Sequence, residues 1–218
     1  MGFFITFEGI EGSGKTTQIK LLACFLESFG YSVVCTREPG GCPVSDKIRT
    51  ILLDADNQAI TPMTELLLYA AARAQHVSEV IIPAILSGAV VLCDRFTDAT
   101  VAYQSFGRGL DRSQIDTLAG LACGSLTPDL TLLIDCEPET GIGRARRRID
   151  ASSGPREERF ELEAMEFHQR VRDGYLSLAA KEPGRFSLID GSASVEDIAS
   201  AIADLVQKKL QDNRNVVR

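Results

Sequence analysis

From Gly9 to Thr16 the chain reads Gly-Ile-Glu-Gly-Ser-Gly-Lys-Thr, with four residues between Gly9 and the Gly14-Lys15-Thr16 triplet. That spacing suits a polyphosphate. The glycines let the backbone turn tightly and aim its N–H groups inward, Lys15 brings a mobile positive charge to β- and γ-phosphates, and Thr16 offers a hydroxyl to Mg²⁺. Gly9, Ile10, Glu11, Gly12, Ser13, Gly14, Lys15, Thr16 and Thr17 are therefore the expected cradle for ATP or GTP. Glycines alone would equally make an ordinary turn. The apolar run Phe3–Phe7 just before, and the helix-spaced Ile19, Leu22 and Leu26 just after, favour strand, phosphate loop and helix instead.

A second chemical group ends the apolar stretch Ala89–Leu92, where Cys93 is followed by Asp94 and Arg95. In a doubly wound sheet, ligands bind beyond the C-terminal ends of the strands, so both side chains are expected beside the phosphate loop. Asp94 would then join Thr16 at Mg²⁺, and Arg95 would grip a phosphate; a plain ion pair at a strand end is the alternative. Thr36-Arg37-Glu38-Pro39-Gly40-Gly41 repeats the pattern, with an arginine at a strand tip before a rigid turn. Two forked guanidiniums over one crevice suit an acceptor that carries its own phosphate. Arg144, Arg146, Arg147 and Arg148, followed by Arg156 and Arg159, form an arginine concentration that a solvated helix face would also explain. No acid stands among the first four, which points to a lid closing over transferring phosphates.

The elements that must position these groups alternate. Buried-strand patterns at 3–7, 31–36, 89–94, 129–135 and 185–190 are separated by helix-period segments, the signature of an α/β fold with a five-stranded parallel sheet flanked by helices on both faces. Gly30 stops the first helix; Thr61-Pro62 caps and starts a long one running to about residue 86, which Gly88 ends; Ser194 with Asp197 opens the last. Asp150 to Pro155 reads as a polar loop of turn formers. At 218 residues and 44% apolar, the chain suits one domain over 1–218 with a small arginine-rich lid at about 144–160.

Composition excludes several classes of function. A net charge of −7 argues against a nucleic-acid or anionic-membrane coat, both of which need a broad basic surface. The six cysteines form no C-x-x-C pair and do not cluster with the two histidines, His76 and His168, so they read as reduced, mostly buried residues. The strand pattern begins at once, without a basic, apolar leader, and no apolar run approaches a bilayer's span, so a cytoplasmic location is expected.

Together the residues resemble bacterial thymidylate kinases of the P-loop nucleoside monophosphate kinase superfamily. The resemblance rests on Phe7-Glu8-Gly9 through Thr17, Thr36–Gly41, Leu66-Leu-Leu-Tyr69-Ala-Ala-Ala-Arg73, and Asp94-Arg95 followed by Ala102-Tyr103-Gln104, in family order across nearly the whole chain. It implies phosphoryl transfer from ATP to dTMP with Mg²⁺, on the way to dTTP, in a homodimer. It also implies residue roles: Glu11 near the acceptor's 3′-hydroxyl, Arg37 and Arg95 on its phosphate, Tyr69 stacked on thymine and Arg73 on a base carbonyl. Thr100 would lie at the base and Tyr103 against the deoxyribose where a 2′-hydroxyl would clash, with Gln104 among the substrate-binding residues. Gly12 after Glu11 resembles the class whose catalytic arginine comes from the lid, with Arg148 preferred over Arg144 and Arg146. Cys42-Pro43, Ser105 and Arg147 depart from the family pattern. Two rivals stay open: another P-loop nucleoside or nucleotide kinase, and a nucleotide-dependent binding switch.

Overall fold

The computed structural model of the chain describes residues 2–151 and 159–216, with side chains up to Asp212; Ser152 to Pro155 of the expected polar loop, and Arg156, lie outside the described residues. Five parallel strands form one sheet: β1 (Phe3–Glu8), β2 (Val33–Arg37), β3 (Val90–Asp94), β4 (Leu130–Asp135) and β5 (Phe186–Asp190), in the order β2-β3-β1-β4-β5. The central β1, β3 and β4 are almost wholly apolar and buried, whereas the edge strands β2 and β5 are half-exposed. Apolar composition therefore tracks position in the sheet, as burial on both faces requires. Helices α1 (Lys15–Ser28) and α9 (Val195–Val216) cover one face; Leu22, Leu26, Ile202 and Val206 pack there on Ile5, Leu92 and Leu132. Helix α8 (Met165–Lys181) covers the other, through Phe167, Val171 and Tyr175.

Strand β2 begins at Val33, not at residue 31, because Tyr31 N–H still closes the turn that ends α1, donating to Leu26 O at 3.2 Å. The long helix expected from 62 to 86 is divided. It runs as α3 (Pro62–His76), widens into a π-helical turn at Val77–Ile81, and resumes as α4 (Ile82–Leu86). Pro83 accounts for the change: it has no N–H for the α-helical ladder, and the preceding Ile82 N–H reaches back five residues to Val77 O. A further helical segment has no counterpart in the sequence reading. Helix α5 (Thr97–Thr100) continues as a π-helical stretch at Val101–Gly107, directly after Arg95.

The remaining helices are α2 (Pro43–Leu53), α6 (Arg112–Cys123) and α7 (Pro138–Asp150). Their punctuation follows the sequence. Thr61 accepts from Thr64 N–H at 3.3 Å, Ser194 accepts from Asp197 N–H at 3.1 Å, and Gly30 and Gly88 end helices at φ of 80° and 87°. All six cysteines are free thiols, four buried and Cys24 and Cys35 exposed. Among the described residues no helix is long and apolar enough to cross a membrane.

Ile5 is fully buried in β1 among α1, β3 and β4 side chains. Replacing it with alanine leaves a cavity and is expected to cost about 2–5 kcal/mol in denaturant unfolding, whereas Leu121→Ala on the exposed side of α6 stays within about 0.5 kcal/mol. A loss at Ile5 no larger than that at Leu121 would contradict its place in the core.

Candidate active site

Parallel pairing of β1 with β3 sets Phe7 beside Asp94, so the loop that leaves β1 begins next to the Asp94-Arg95 corner. Gly9 and Gly12 hold φ of 131° and 68°, which side chains rarely tolerate, and a Cβ on Gly12 would also run into the Gly141 carbonyl of α7. The loop ends where Gly14 caps α1, so its amides and the helix N-terminus face one point. Lys15 folds back over this loop, donating to Gly9 O at 3.0 Å, Ile10 O at 2.7 Å and Ser13 Oγ at 3.3 Å. Burial, reinforced by Arg95, lowers its pKa to about 8. Thr16 Oγ1 donates to Asp94 Oδ2 at 3.1 Å, so the two residues expected at Mg²⁺ do meet.

Arg95 is the one described residue other than glycine with positive φ, at 71°. A non-glycine residue in that region is strained, and the surroundings hold it there. Its N–H donates to Phe7 O at 3.0 Å, while Nη1 donates to Gly9 O and to Tyr175 Oη, both at 2.9 Å, and Nη2 pairs with Glu11 Oε1 at 3.1 Å. Tyr103 donates to the same Glu11 oxygen and lies under the guanidinium, 4.8 Å from ring centre to Cζ. Burial alone would raise the Glu11 carboxyl, but Arg95, His168 and Tyr103 hold it down at about 2. The phosphate loop, the β3 corner, the π-helical stretch and α8 therefore converge on one charge pair.

The acceptor-type residues line the same cleft of about 1590 Å³ as the phosphate loop, including Arg37, Tyr69, Arg73, Thr100, Tyr103 and Gln104. Their environments differ. Arg37 is half-exposed and reaches Asp46 only at 3.5 Å. Arg73, one turn after Tyr69, is buried: Nε meets Glu38 Oε2 at 2.6 Å, and Nη2 donates to Phe96 O at 3.0 Å and Thr100 Oγ1 at 2.9 Å. Gln104 donates to Glu65 at 2.9 Å. Glu65 also takes Arg159 at 2.6 Å and Arg108 at 3.3 Å, so Arg159, which the sequence grouped with the lid, is instead a buried brace behind the acceptor side.

The α7 arginines separate. Arg144 and Arg148 line the cleft, while Arg146 donates to Glu161 O at 3.1 Å and Arg147 turns back to Gly143 O. Compensation missing from the local sequence comes from Glu161, whose Oε1 lies 3.8 Å from Arg148. Burial and the neighbouring Glu11 push the Glu161 carboxyl upward. Glu38, Glu65, Glu161, His168 and Tyr175 were not assigned to the site from sequence, because their partners are far away along the chain. Glu8 carried a usable signal, as an acid at a strand's C-terminal end like Asp94.

Glu8 is fully buried, accepting from Phe96 N–H and Tyr175 Oη–H at 2.7 Å each. Burial, with Asp98 nearby, raises it from an ordinary 4.5 to about 8. A carboxyl harder to ionise when folded costs stability as pH rises past its unfolded value, and the cost is complete above the folded one. Glu8→Gln should therefore gain about 1–2 kcal/mol on the parent protein between about pH 6 and about pH 9, read as a shift in their Tm difference. A difference independent of pH would show that Glu8 holds no proton in the folded chain.

Comparison with known proteins agrees with this geometry. The family model described as thymidylate kinase matches residues 7–202. A thymidylate kinase of Pelobacter propionicus is 67% identical over 218 residues, covering 100% of both chains, and one of Geobacter sulfurreducens is 61% identical over 210 residues, covering 96% of this chain and 99% of its own. The crystal structure of thymidylate kinase from Ehrlichia chaffeensis superposes with a TM-score of 0.76 at 36% identity, covering 94% of this chain and 98% of that one. The Gly9–Thr16 loop and the residues expected on the acceptor side share one cleft, and the chain, matched over residues 7–202 by the family model and from end to end by a relative 67% identical to it, belongs to the thymidylate kinase family.

Proposed function

We propose that the chain transfers the γ-phosphoryl group of ATP to dTMP, yielding dTDP and ADP on the route to dTTP. The observation that carries this reading is the single cleft. Its volume of about 1590 Å³ exceeds what one drug-sized ligand needs and suits two nucleotides end to end, with Arg95 between their phosphates. In this reading Lys15 and the loop amides hold the donor phosphates, and Arg37 and Arg95 hold the acceptor phosphate. Tyr69 stacks on thymine, and Arg73, Thr100 and Gln104 fix its edge. Tyr103 crowds the ribose 2′ position, and Glu11 faces the 3′-hydroxyl. Arg144 and Arg148, with Arg148 foremost, serve the transferring group from a lid that begins at about residue 144 on one domain, with Arg146 braced beside them on Glu161 O. Because the acceptor is already an anionic phosphate, positioning and charge neutralisation supply the rate and no strong general base is required.

Thr16 Oγ1 and Asp94 fit Mg²⁺, since both offer hard oxygen donors at the mouth of the loop. Among the described residues no group of three or more His, Cys, Asp or Glu gathers to hold a metal alone, which suits an ion that arrives with phosphate and water ligands. Bound there, Mg²⁺ would neutralise charge on the donor phosphates. A homodimer through α2 and α3 is supported by the exposed Val44, Ile51, Met63 and Leu67, and a cytoplasmic setting by the free thiols.

An ADP-release assay across nucleosides and nucleoside monophosphates tests the reaction: dTMP should give the fastest turnover, and Lys15→Ala should remove most of it. Failure of every acceptor to stimulate ADP release would leave a binding switch. Tyr69→Ala should raise KM for dTMP about tenfold or more with KM for ATP nearly unchanged; equal rises would take Tyr69 out of the base pocket.

A further inference from the structure

His168 on α8 is completely buried, and both of its ring nitrogens lack a hydrogen-bond partner among the described residues. Glu11 Oε2 is in the same condition. The two lie opposite each other, with His168 Nδ1 at 3.5 Å from Glu11 Oε2. That is just beyond an ordinary hydrogen bond, and leaving such groups unpaired in a dry interior is costly. A few tenths of an ångström would satisfy both. The other carboxylate oxygen is already engaged, by Tyr103 Oη and Arg95 Nη2.

The geometry points to His168 as a positioning residue that donates Nδ1–H to Glu11 Oε2 and thereby fixes the carboxylate on which Arg95 and Tyr103 are seated. The inference rests on the proposed acceptor site, because Arg95 and Tyr103 are its phosphate and sugar contacts. His168 Nε2 has no acceptor among the described residues, whereas Nδ1 faces a carboxylate oxygen, so a ring proton finds its partner at Nδ1. Phe167, with its ring centroid 5.5 Å from the imidazole, packs against His168, so the ring is placed by the core and not by solvent. Lys15, Arg95, Tyr103 and Glu161 are the other charged or titratable groups around Glu11. Without the histidine bond the Glu11 carboxylate is held only through Oε1, by Arg95 and Tyr103, and the seat it offers the Arg95 Nη2 loosens. The phosphate loop backbone and Lys15, held by its own carbonyls, would stay in place.

The test has two arms. Nitrogen NMR of the full-length protein with isotopically labelled histidine, which has only two rings to assign, should show His168 carrying hydrogen on Nδ1 at neutral pH. A ring protonated on Nε2 alone would set a lone pair against the carboxylate and overturn the inference. In kinetics, His168→Leu should raise KM for dTMP about tenfold while KM for ATP changes less than about twofold. His168→Asn, whose amide nitrogen can occupy the Nδ1 position, should restore most of the dTMP affinity. Equal rises in both KM values, or an Asn variant as impaired as the Leu variant, would leave His168 a packing residue. The NMR arm needs neither substrate nor a foldable variant. An absence of dTMP turnover in the parent protein would therefore sink the proposed reaction without deciding the tautomer.

Discussion

Everything chemical in this chain depends on the parallel register of β1 against β3. Because Phe7 lies beside Asp94, the phosphate loop and the Asp94-Arg95 corner emerge side by side at the same crest of the sheet. The Arg95 N–H bond to Phe7 O ties that corner to β1 and helps hold a backbone conformation that an arginine would not adopt in isolation. A slip by one residue would turn Asp94 away from Thr16 and the Arg95 guanidinium away from Gly9 and Glu11. The apolar side chains that face both helix layers set the register, so the burial of Ile5, Leu92 and Leu132 is what aligns the charges.

Arginines in and behind the cleft are held by acids from other parts of the chain. Arg95 rests on Glu11, Arg73 on Glu38 and Arg159 on Glu65, at 3.1, 2.6 and 2.6 Å. Buried pairs of this kind contribute little net stability, since desolvation offsets most of the attraction. Their consequence here is orientation. A guanidinium already aligned by a carboxylate meets a phosphate with less rotamer entropy to lose, and the cost of assembling it is met during folding. Glu161 extends this arrangement to α7, where it stands opposite Arg148.

Two widened helical turns adjoin segments that line the cleft. One follows Arg73 and His76 at Val77–Ile81, and the other carries Tyr103 and Gln104 at Val101–Gly107. A π-helical turn rotates the residues beyond it, and such turns recur at functional sites. Here close approaches to α8 lock the second one: Phe167 lies where Gly107 would carry a Cβ, and Phe106 where Gly174 would. That packing brings Tyr175 and His168 under the charge pair from a helix far along the sequence.

The sequence by itself determined the fold class, the succession of five apolar strands along the chain, the helix caps at Thr61 and Ser194, and the glycine turn from Gly9 to Gly14 with Asp94 and Arg95 at a strand end. These are legible because they rest on local spacing: glycines where the backbone turns, polar caps at helix starts, and apolar runs where both faces are buried. Tertiary structure decided the start of β2, the break in the helix after His76, the removal of Arg159 from the lid, and the seating of Arg95 on Glu11. It also brought Glu161 to the cleft, and Glu8, Glu65, Tyr175 and His168 behind the residues that line it. No spacing rule could show these, because an ion pair or a buried hydrogen bond depends on where two distant segments are packed, and the sequence of either segment carries no mark of its partner.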